Sequence, residues 1–395
     1  MTRYWALIVL AVGVTIPAIA LRLGGMHVEQ PGLIAALFGC AIVGGAFLLT
    51  WGAEVAEIDI SQGLALAFLA LVAVLPEYAV DLYFAWKAAH HPEYTAYAAA
   101  NMTGANRLLI GIAWPLIVGL NWIRNRRAQV RLPRARAVEL AFLSLATAYS
   151  FVIPLKGTIT LLDTLVFVGL FVAYVWRIAW AETGEPDLVG PALALAAFRP
   201  AIRRTLVGII FLFSATVILA SAEPFAEALI AVGRRTGVDE FLLVQWLAPL
   251  ASEAPEVVIA CILTLKGDAQ AGMGAMVSAK VNQWTLLVGT LPLVYSLGLG
   301  QAGALNLDSR QVEEVLLTAA QSLFAVAVIC NLRLSLFESG TLLALFLLQL
   351  LFPNPTVRSG FALVYVALAV AVLVRQRTNF RALLRAGLRS PVRRT

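Results

Sequence analysis

The sequence predicts an all-α polytopic membrane protein with about 12 transmembrane helices, and three observations predict it. Hydrophobic residues make up 61% of the chain and charged residues only 13%, where a soluble domain carries roughly 25% charged residues. Apolar runs of about 20 residues recur from end to end and do not alternate, so they read as spanning helices rather than barrel strands. One short element occurs twice, as Pro76–Lys87 (PEYAVDLYFAWK) and Pro255–Lys266 (PEVVIACILTLK). Each copy opens with Pro-Glu inside an apolar run and closes with a Lys ten residues after the Glu; the copies are 179 positions apart. A charged side chain at mid-bilayer costs roughly 2.5–3.5 kcal/mol on insertion scales, so a carboxylate kept twice in the same setting marks function.

Composition excludes several classes. The net charge of +6 does not indicate nucleic acid. The Arg residues cluster in a few loops and the tail, as the positive-inside rule predicts for a protein whose partner is the lipid bilayer. Cys40, Cys261 and Cys330 fall in apolar runs and form neither a disulfide framework nor a metal-type Cys/His spacing. His27, His90 and His91 sit in short loops and read as solvated. The sequence has no His-Glu-x-x-His, Gly-x-Ser-x-Gly or paired Cys, so neither an enzyme nor a resident cofactor is expected.

Taken in order, the first run is Tyr4–Leu21, a retained span rather than a removed signal peptide, since no small-residue cleavage site follows it. The second is Gly32–Val55, closed by Glu54, Glu57 and Asp59, and the third, Gln62–Trp86, holds Pro76-Glu77. The fourth, Tyr94–Trp122, holds AAANMTGANRLLIG, and six Arg follow between 124 and 136. Spans five and six are Ala137–Leu155 and Ile159–Ala181. A polar joint at 183–204 separates the halves. Span seven is Thr205–Ala222, with an amphipathic continuation to Val232, and Glu223 and Glu227 read as interfacial. Span eight is Glu240–Leu265, span nine Asp268–Leu297, and spans ten to twelve are Val312–Asn331, Leu334–Phe352 and Arg358–Val374. Seven Arg follow from Arg375 onward.

Twelve crossings put both termini on one side. The Arg-rich loop, the joint, Lys266, Arg333 and the tail all fall on that side, which the charge bias makes cytoplasmic. One Pro-Glu lies in an odd span and the other in an even one, so the copies cross in opposite directions. That is an inverted-topology repeat, which places an ion or substrate site near the midplane. The organisation is then 1–30 as an extra N-terminal helix, 31–182 as the first five-helix repeat, 183–204 as a cytoplasmic joint, 205–353 as the second repeat, and 354–395 as an extra helix with a basic tail.

A Pro inside a span removes one backbone hydrogen bond and frees a carbonyl. The adjacent Glu adds a hard anionic oxygen, and together they suit Na⁺ or Ca²⁺. Two such carboxylates neutralise one Ca²⁺; without it they repel, and a proton or Na⁺ takes its place. Glu77 and Glu256 are therefore the expected metal ligands. Asp81 lies one turn after Glu77, and Glu253 one turn before Glu256, each on the same helix face. Ser252 adds a hydroxyl. Asn101, Thr103 and Asn106 follow the first copy, and Ser278, Asn282 and Gln283 the second, as further oxygens for a cation or as interhelical hydrogen bonds. Arg107 and Lys280 need an anionic partner or a route to the interface; Lys280 pairs with Glu256 or Glu253 as an internal counter-charge, or snorkels.

These features resemble the Ca²⁺/cation antiporter superfamily, whose two repeats typically read G-T-S-L-P-E and, one helix on, G-N-x-x-G-S-N-x-x-N/D. The first copy here gives Val72-Ala73-Val74-Leu75-Pro76-Glu77 and Ala100-Asn101-Met102-Thr103-Gly104-Ala105-Asn106. The second gives Ala251-Ser252-Glu253-Ala254-Pro255-Glu256 and Gly274-Ala275-Met276-Val277-Ser278-Ala279-Lys280. The resemblance implies a ten-helix exchanger core with one extra helix at each end. It also implies Glu77 and Glu256 as the central Ca²⁺ ligands, and alternating access by sliding of the first helix of each repeat. Ala73, Val74 and Lys280 replace positions that supply Na⁺ oxygens in the family. With Asp81 and Glu253 added, this favours proton coupling over multiple Na⁺.

The sequence thus predicts a secondary-active cation antiporter in a bacterial inner membrane, monomeric or homodimeric, moving Ca²⁺ or a related cation against H⁺ or Na⁺ with no cofactor beyond the transported ions. Its rivals are a carrier of another solute, with Lys280 replacing a bound cation, and a non-transporting membrane scaffold.

Overall fold

The computed structural model describes residues 2–24, 28–59, 74–179, 188–352 and 354–388, and helices dominate it. Nine helices among the described residues are long and apolar enough to cross a membrane. The chain opens with α1 (Thr2–Gly13), α2 (Ile16–Gly24), α3 (Pro31–Ala56) and α4 (Leu75–Ala88). Next come α5 (Tyr94–Leu108), α6 (Trp114–Asn125), α7 (Ala137–Ser150), α8 (Val152–Lys156), α9 (Leu161–Ile178) and the short α10 (Ala192–Ala196). The second half holds α11 (Pro200–Thr236), α12 (Glu240–Leu265), α13 (Ala269–Asn282), α14 (Val288–Leu299), α15 (Ser309–Ile329), α16 (Leu336–Leu351), α17 (Pro355–Arg375) and α18 (Arg377–Leu388). Each of the twelve predicted spans meets a helix; the part of span three before Val74 lies outside the described residues.

Two boundaries differ from the sequence expectation. The first span is divided between α1 and α2 at Val14–Thr15, where the Thr15 hydroxyl donates to Val12 O at 2.7 Å and Pro17 follows. Span seven and its amphipathic continuation, expected to end at Val232, form one unbroken helix of 37 residues, α11, that runs through Pro224 to Thr236. Glu223 and Glu227 lie inside this helix. Both are partnered there, Glu223 by Arg22 at 2.8 Å and Glu227 by the Tyr83 hydroxyl, so neither charge terminates the helix.

The chain forms two compact units. The first comprises residues 1–84 and 182–259, and its centre is the packing of α3 on α11. Gly39, Gly45 and Gly52 of α3 face Phe225, Ile218 and Phe211 of α11; a Cβ on each glycine would approach those side chains to 2.9, 3.0 and 3.0 Å. Small residues let helices meet this closely in lipid. As one sequence number rises the other falls, so α3 and α11 are antiparallel, although each is the opening helix of its repeat. Asp59, just past α3, is held by Arg203 near the start of α11, with Nε–Oδ2 at 2.6 Å.

The second unit comprises residues 85–181 and 260–395. Here each repeat runs through a helix, a five-residue π turn and a second helix: α5, Leu109–Ala113 and α6 in the first, α13, Gln283–Leu287 and α14 in the second. Each continues through two three-residue strands, β1 (Gln129–Arg131) and β2 (Thr158–Thr160), then β3 (Ala304–Asn306) and β4 (Arg333–Ser335). The pairing is crossed. β1 pairs antiparallel with β4, opposing Gln129 to Ser335, and β2 with β3, opposing Thr160 to Ala304. Adding 175 to Gln129 and Thr160 gives Ala304 and Ser335, so the two ladders are images of each other under exchange of the repeats.

That exchange fixes the sense of the repeats. The span formed by α7 and α8 separates β1 from β2, so these strands lie at opposite ends of it. β3, the counterpart of β1, is bound to β2. Counterparts therefore sit at opposite ends, and the repeats are inverted. The strand at the end of each loop also starts the next helix by the same device. Thr160 with Asp163 caps α9 and Ser335 with Glu338 caps α16, both as capping boxes, again 175 positions apart.

Candidate cation site

In the first unit, Pro76-Glu77 occupies the first turn of α4, and α12 carries Ser252, Glu253 and Glu256. Glu77 is 4% exposed, Asp81 fully buried and Glu253 4% exposed, while Glu256 is half-buried. Helical spacing puts Asp81 one turn beyond Glu77 and Glu253 one turn before Glu256. α12 has Pro249 and Pro255 in its interior, so the carbonyls of Gln245 and Ala251 lose their i+4 donors. Ser252 Oγ donates back to Ala248 O at 3.3 Å and Pro249 O at 3.2 Å, which leaves the hydroxyl's lone pairs outward. α4 and α12 thus each present two carboxylates, and α12 adds backbone and hydroxyl oxygens: a hard, oxygen-only donor set suited to Ca²⁺. Val74 is buried and supplies no side-chain oxygen; Val72 and Ala73 lie outside the described residues.

In the second unit the polar residues of α5 and α13 divide into two groups. Asn101 Oδ1 and Asn282 Oδ1 are buried and accept no hydrogen bond, so both amide oxygens remain available as ligands. Gln283 opens the second π turn and is buried. Thr103 instead turns its hydroxyl onto its own helix, at 2.7 Å from Ala99 O, and Ser278 takes a hydrogen bond from Arg136 at 3.3 Å.

The other group is cationic. Lys280 does not snorkel: it is fully buried. Its Nζ donates to Asn106 Oδ1 at 2.6 Å and to Asn106 O at 3.3 Å, and lies 4.5 Å from the centroid of the Trp284 ring. Counted back from the two π turns, Lys280 and Asn106 are the same position of the two repeats. Their pairing crosses the pseudo-two-fold that relates the strands. The π turn loosens the helical ladder at its entry, and two carbonyls there accept side chains: Asn106 O from Lys280 and Arg107 O from Gln321 Nε2 at 3.3 Å.

Arg107 finds its anion in Glu314 of α15, and Glu314 also lies 3.7 Å from Arg358 of α17, which bonds Glu313 at 3.0 Å. The sequence reading missed Glu314 and Arg358, because both stand at the ends of apolar runs where charges are ordinarily interfacial. The signal was the intramembrane Arg107 itself, which required a carboxylate somewhere in its unit.

Among the described residues no group of three or more His, Cys, Asp or Glu side chains converges to hold a metal ion. The carboxylates of α4 and α12 come in pairs, Glu77 with Asp81 and Glu253 with Glu256.

The fold is that of a helical polytopic membrane transporter. The sodium/calcium exchanger protein family model matches residues 31–180 and 206–353, and the chain belongs to that family, within the Ca²⁺/cation antiporter superfamily. The crystal structure of the H⁺/Ca²⁺ exchanger CAX is 43% identical, superposes with a TM-score of 0.94, and the match covers 98% of both chains. Two further structures share the fold at low identity. YfkE is 17% identical with a TM-score of 0.61, over 91% of this chain and 99% of its own. The sodium-calcium exchanger NCX_Mj is 12% identical with a TM-score of 0.54, over 88% and 100%. No curated protein sequence matches the chain.

Proposed function

We propose that this protein exchanges Ca²⁺, or a closely related divalent cation, for H⁺ by alternating access across the cytoplasmic membrane, with both termini in the cytoplasm. The observation that carries this reading is the doubled Pro-Glu element, with Glu77 buried on α4 and Glu256 half-buried on α12, in a chain 43% identical to an H⁺/Ca²⁺ exchanger over 98% of its length. Glu77 and Glu256 are the metal ligands, with Asp81, Glu253 and Ser252 beside them. Asn101, Asn282 and Gln283 are further oxygen donors.

The chemistry follows from charge. Two ionised carboxylates balance one divalent cation. Once it leaves, two like charges in a low-dielectric setting disfavour each other, and proton uptake relieves them. A proton and the metal thus compete for the same oxygens, and neither state leaves a bare pair of charges inside the membrane. The first helices of the repeats, α3 and α11, are the elements that slide. Their glycine-lined contact provides a smooth track for it.

The test is proton counterflow. In liposomes loaded with a pH indicator and holding the purified protein, external Ca²⁺ should expel protons from the lumen when the membrane potential is clamped. Ca²⁺ entry with no change in luminal pH would exclude proton coupling. No Ca²⁺ entry under any imposed gradient would exclude antiport.

A further inference from the structure

We propose that the exposed face of α18 is a docking surface for anionic phospholipid headgroups, at the leaflet where α17 ends. The inference goes beyond the antiport reading and does not depend on it.

α17 is long and apolar enough to cross a membrane and ends at Arg375. α18 begins at Arg377, so it starts at the membrane surface. Only Gln376 separates the two helices, and Cys330, just past α15, holds it, with Sγ donating to Gln376 Oε1 at 3.5 Å. One face of α18 is fixed to the protein. Leu383 and Gly387 are buried there, and a Cβ on Gly387 would collide with Ala137 and Ala141 of α7. A helix seated this closely cannot roll about its axis.

The other face is a basic ladder. Arg377, Arg381 and Arg385 recur every four residues, so they stand on one stripe, about 6 Å apart along the axis. All three are exposed, and none has a hydrogen-bond or ion-pair partner among the described residues. The sequence carries no Asp or Glu after Glu338 to balance them. α18 also packs against the turn Arg134–Arg136, whose Arg134 is exposed as well. The positive-inside rule asks only for basic residues near a span; the stripe and its rigid seat are additional. Guanidinium is the side-chain group that pairs with phosphate oxygens bidentately. Each basic side chain at an anionic leaflet favours binding by about fivefold, so three favour it by about a hundredfold. A zwitterionic headgroup offers no such net attraction.

Docking ties α18 down, so amide hydrogen exchange reads it locally. The experiment compares the full-length protein in nanodiscs of pure phosphatidylcholine with the same protein in nanodiscs that also contain phosphatidylglycerol. Exchange across residues 377–388 should slow by at least about tenfold with phosphatidylglycerol, a conservative share of the hundredfold above. Arg377→Gln/Arg381→Gln/Arg385→Gln, its folding checked by gel filtration, should lose that slowing. Arg377→Lys/Arg381→Lys/Arg385→Lys should keep most of it, because the charge remains. Unchanged exchange in wild-type α18, or equal slowing in the folded Gln variant, would overturn the proposal. If the Gln variant does not fold, wild type alone decides: raised salt should abolish the slowing, and slowing that survives salt refutes the docking. Slowing by soluble polyglutamate in pure phosphatidylcholine discs, with no effect of phosphatidylglycerol, would assign the surface to an acidic protein and equally refute it. Ca²⁺ transport is not read, so failure of the antiport reading leaves this result standing on its own.

Discussion

Arg107 and Glu314 form an ion pair inside the second unit, each side chain only 3% exposed. Arg107 is the immediate neighbour of Asn106, and Glu314 reaches on to Arg358 of α17. The pair thus ties α5 to α15, and through Arg358 to the last predicted span, the helix added beyond the two repeats.

Breaking this pair from one side should be costly. A buried charge stripped of its partner typically costs about 3–5 kcal/mol, whereas replacing both members by apolar residues is often neutral. Glu314→Leu should therefore lower the thermal stability of the detergent-solubilised protein sharply. Arg107→Met combined with Glu314→Leu should recover much of the loss. A double variant as unstable as the sum of the singles would show that the two side chains act independently.

Gly111 lies in the first π turn, and a Cβ there would run into the ring of Phe346 on α16. An aromatic ring that close cannot give way without moving its helix. Gly111→Ala should cost about 1–3 kcal/mol by overpacking, and Phe346→Leu should restore part of it. Thermal unfolding of the single and double variants checks this, and an unaffected single variant would contradict the contact.

Asp59 accepts from Arg203 and Arg204. The hydrogen bond from Arg203, foremost, holds its carboxyl below the usual carboxylate range. The folded state therefore binds this proton less readily than the unfolded one. The bridge contributes above the ordinary carboxyl pKa and is lost as pH falls through the lowered folded value. Hydrogen exchange at the end of α3 and the start of α11, measured relative to the intrinsic amide rate at each pH, should quicken on acidification in wild type. In Asp59→Asn it should already be fast and lack that acid limb; an unchanged acid limb in the variant would place its origin elsewhere.

Much of the fold was legible because spanning helices announce themselves by length and apolarity. Span eight was placed at Glu240–Leu265 and α12 has those bounds. The inverted repeat was legible from the 179-residue spacing of the two Pro-Glu elements, since charge inside a span is too expensive to recur without cause. The strands were not. Three residues such as Gln129–Arg131 carry no signal of their own, and their partner Arg333–Ser335 lies two hundred residues away. For the site, sequence named Lys280 as a cation inside a span. Its bond to Asn106 depends on the repeats meeting across a symmetry axis, which no single segment encodes. Glu314 was invisible for a related reason: an acid in the second turn of a span reads as an interface residue until Arg107 is found against it.

The most direct test of the central claim is radioactive Ca²⁺ uptake into proteoliposomes driven by an imposed pH gradient, for wild type beside Glu77→Gln and Glu256→Gln, with all three shown to be folded and inserted. Uptake by wild type that collapses when the pH gradient is dissipated, and that either substitution abolishes, is the predicted result. Wild-type-like uptake by both variants would contradict it, because the paired glutamates would then not be the ion site.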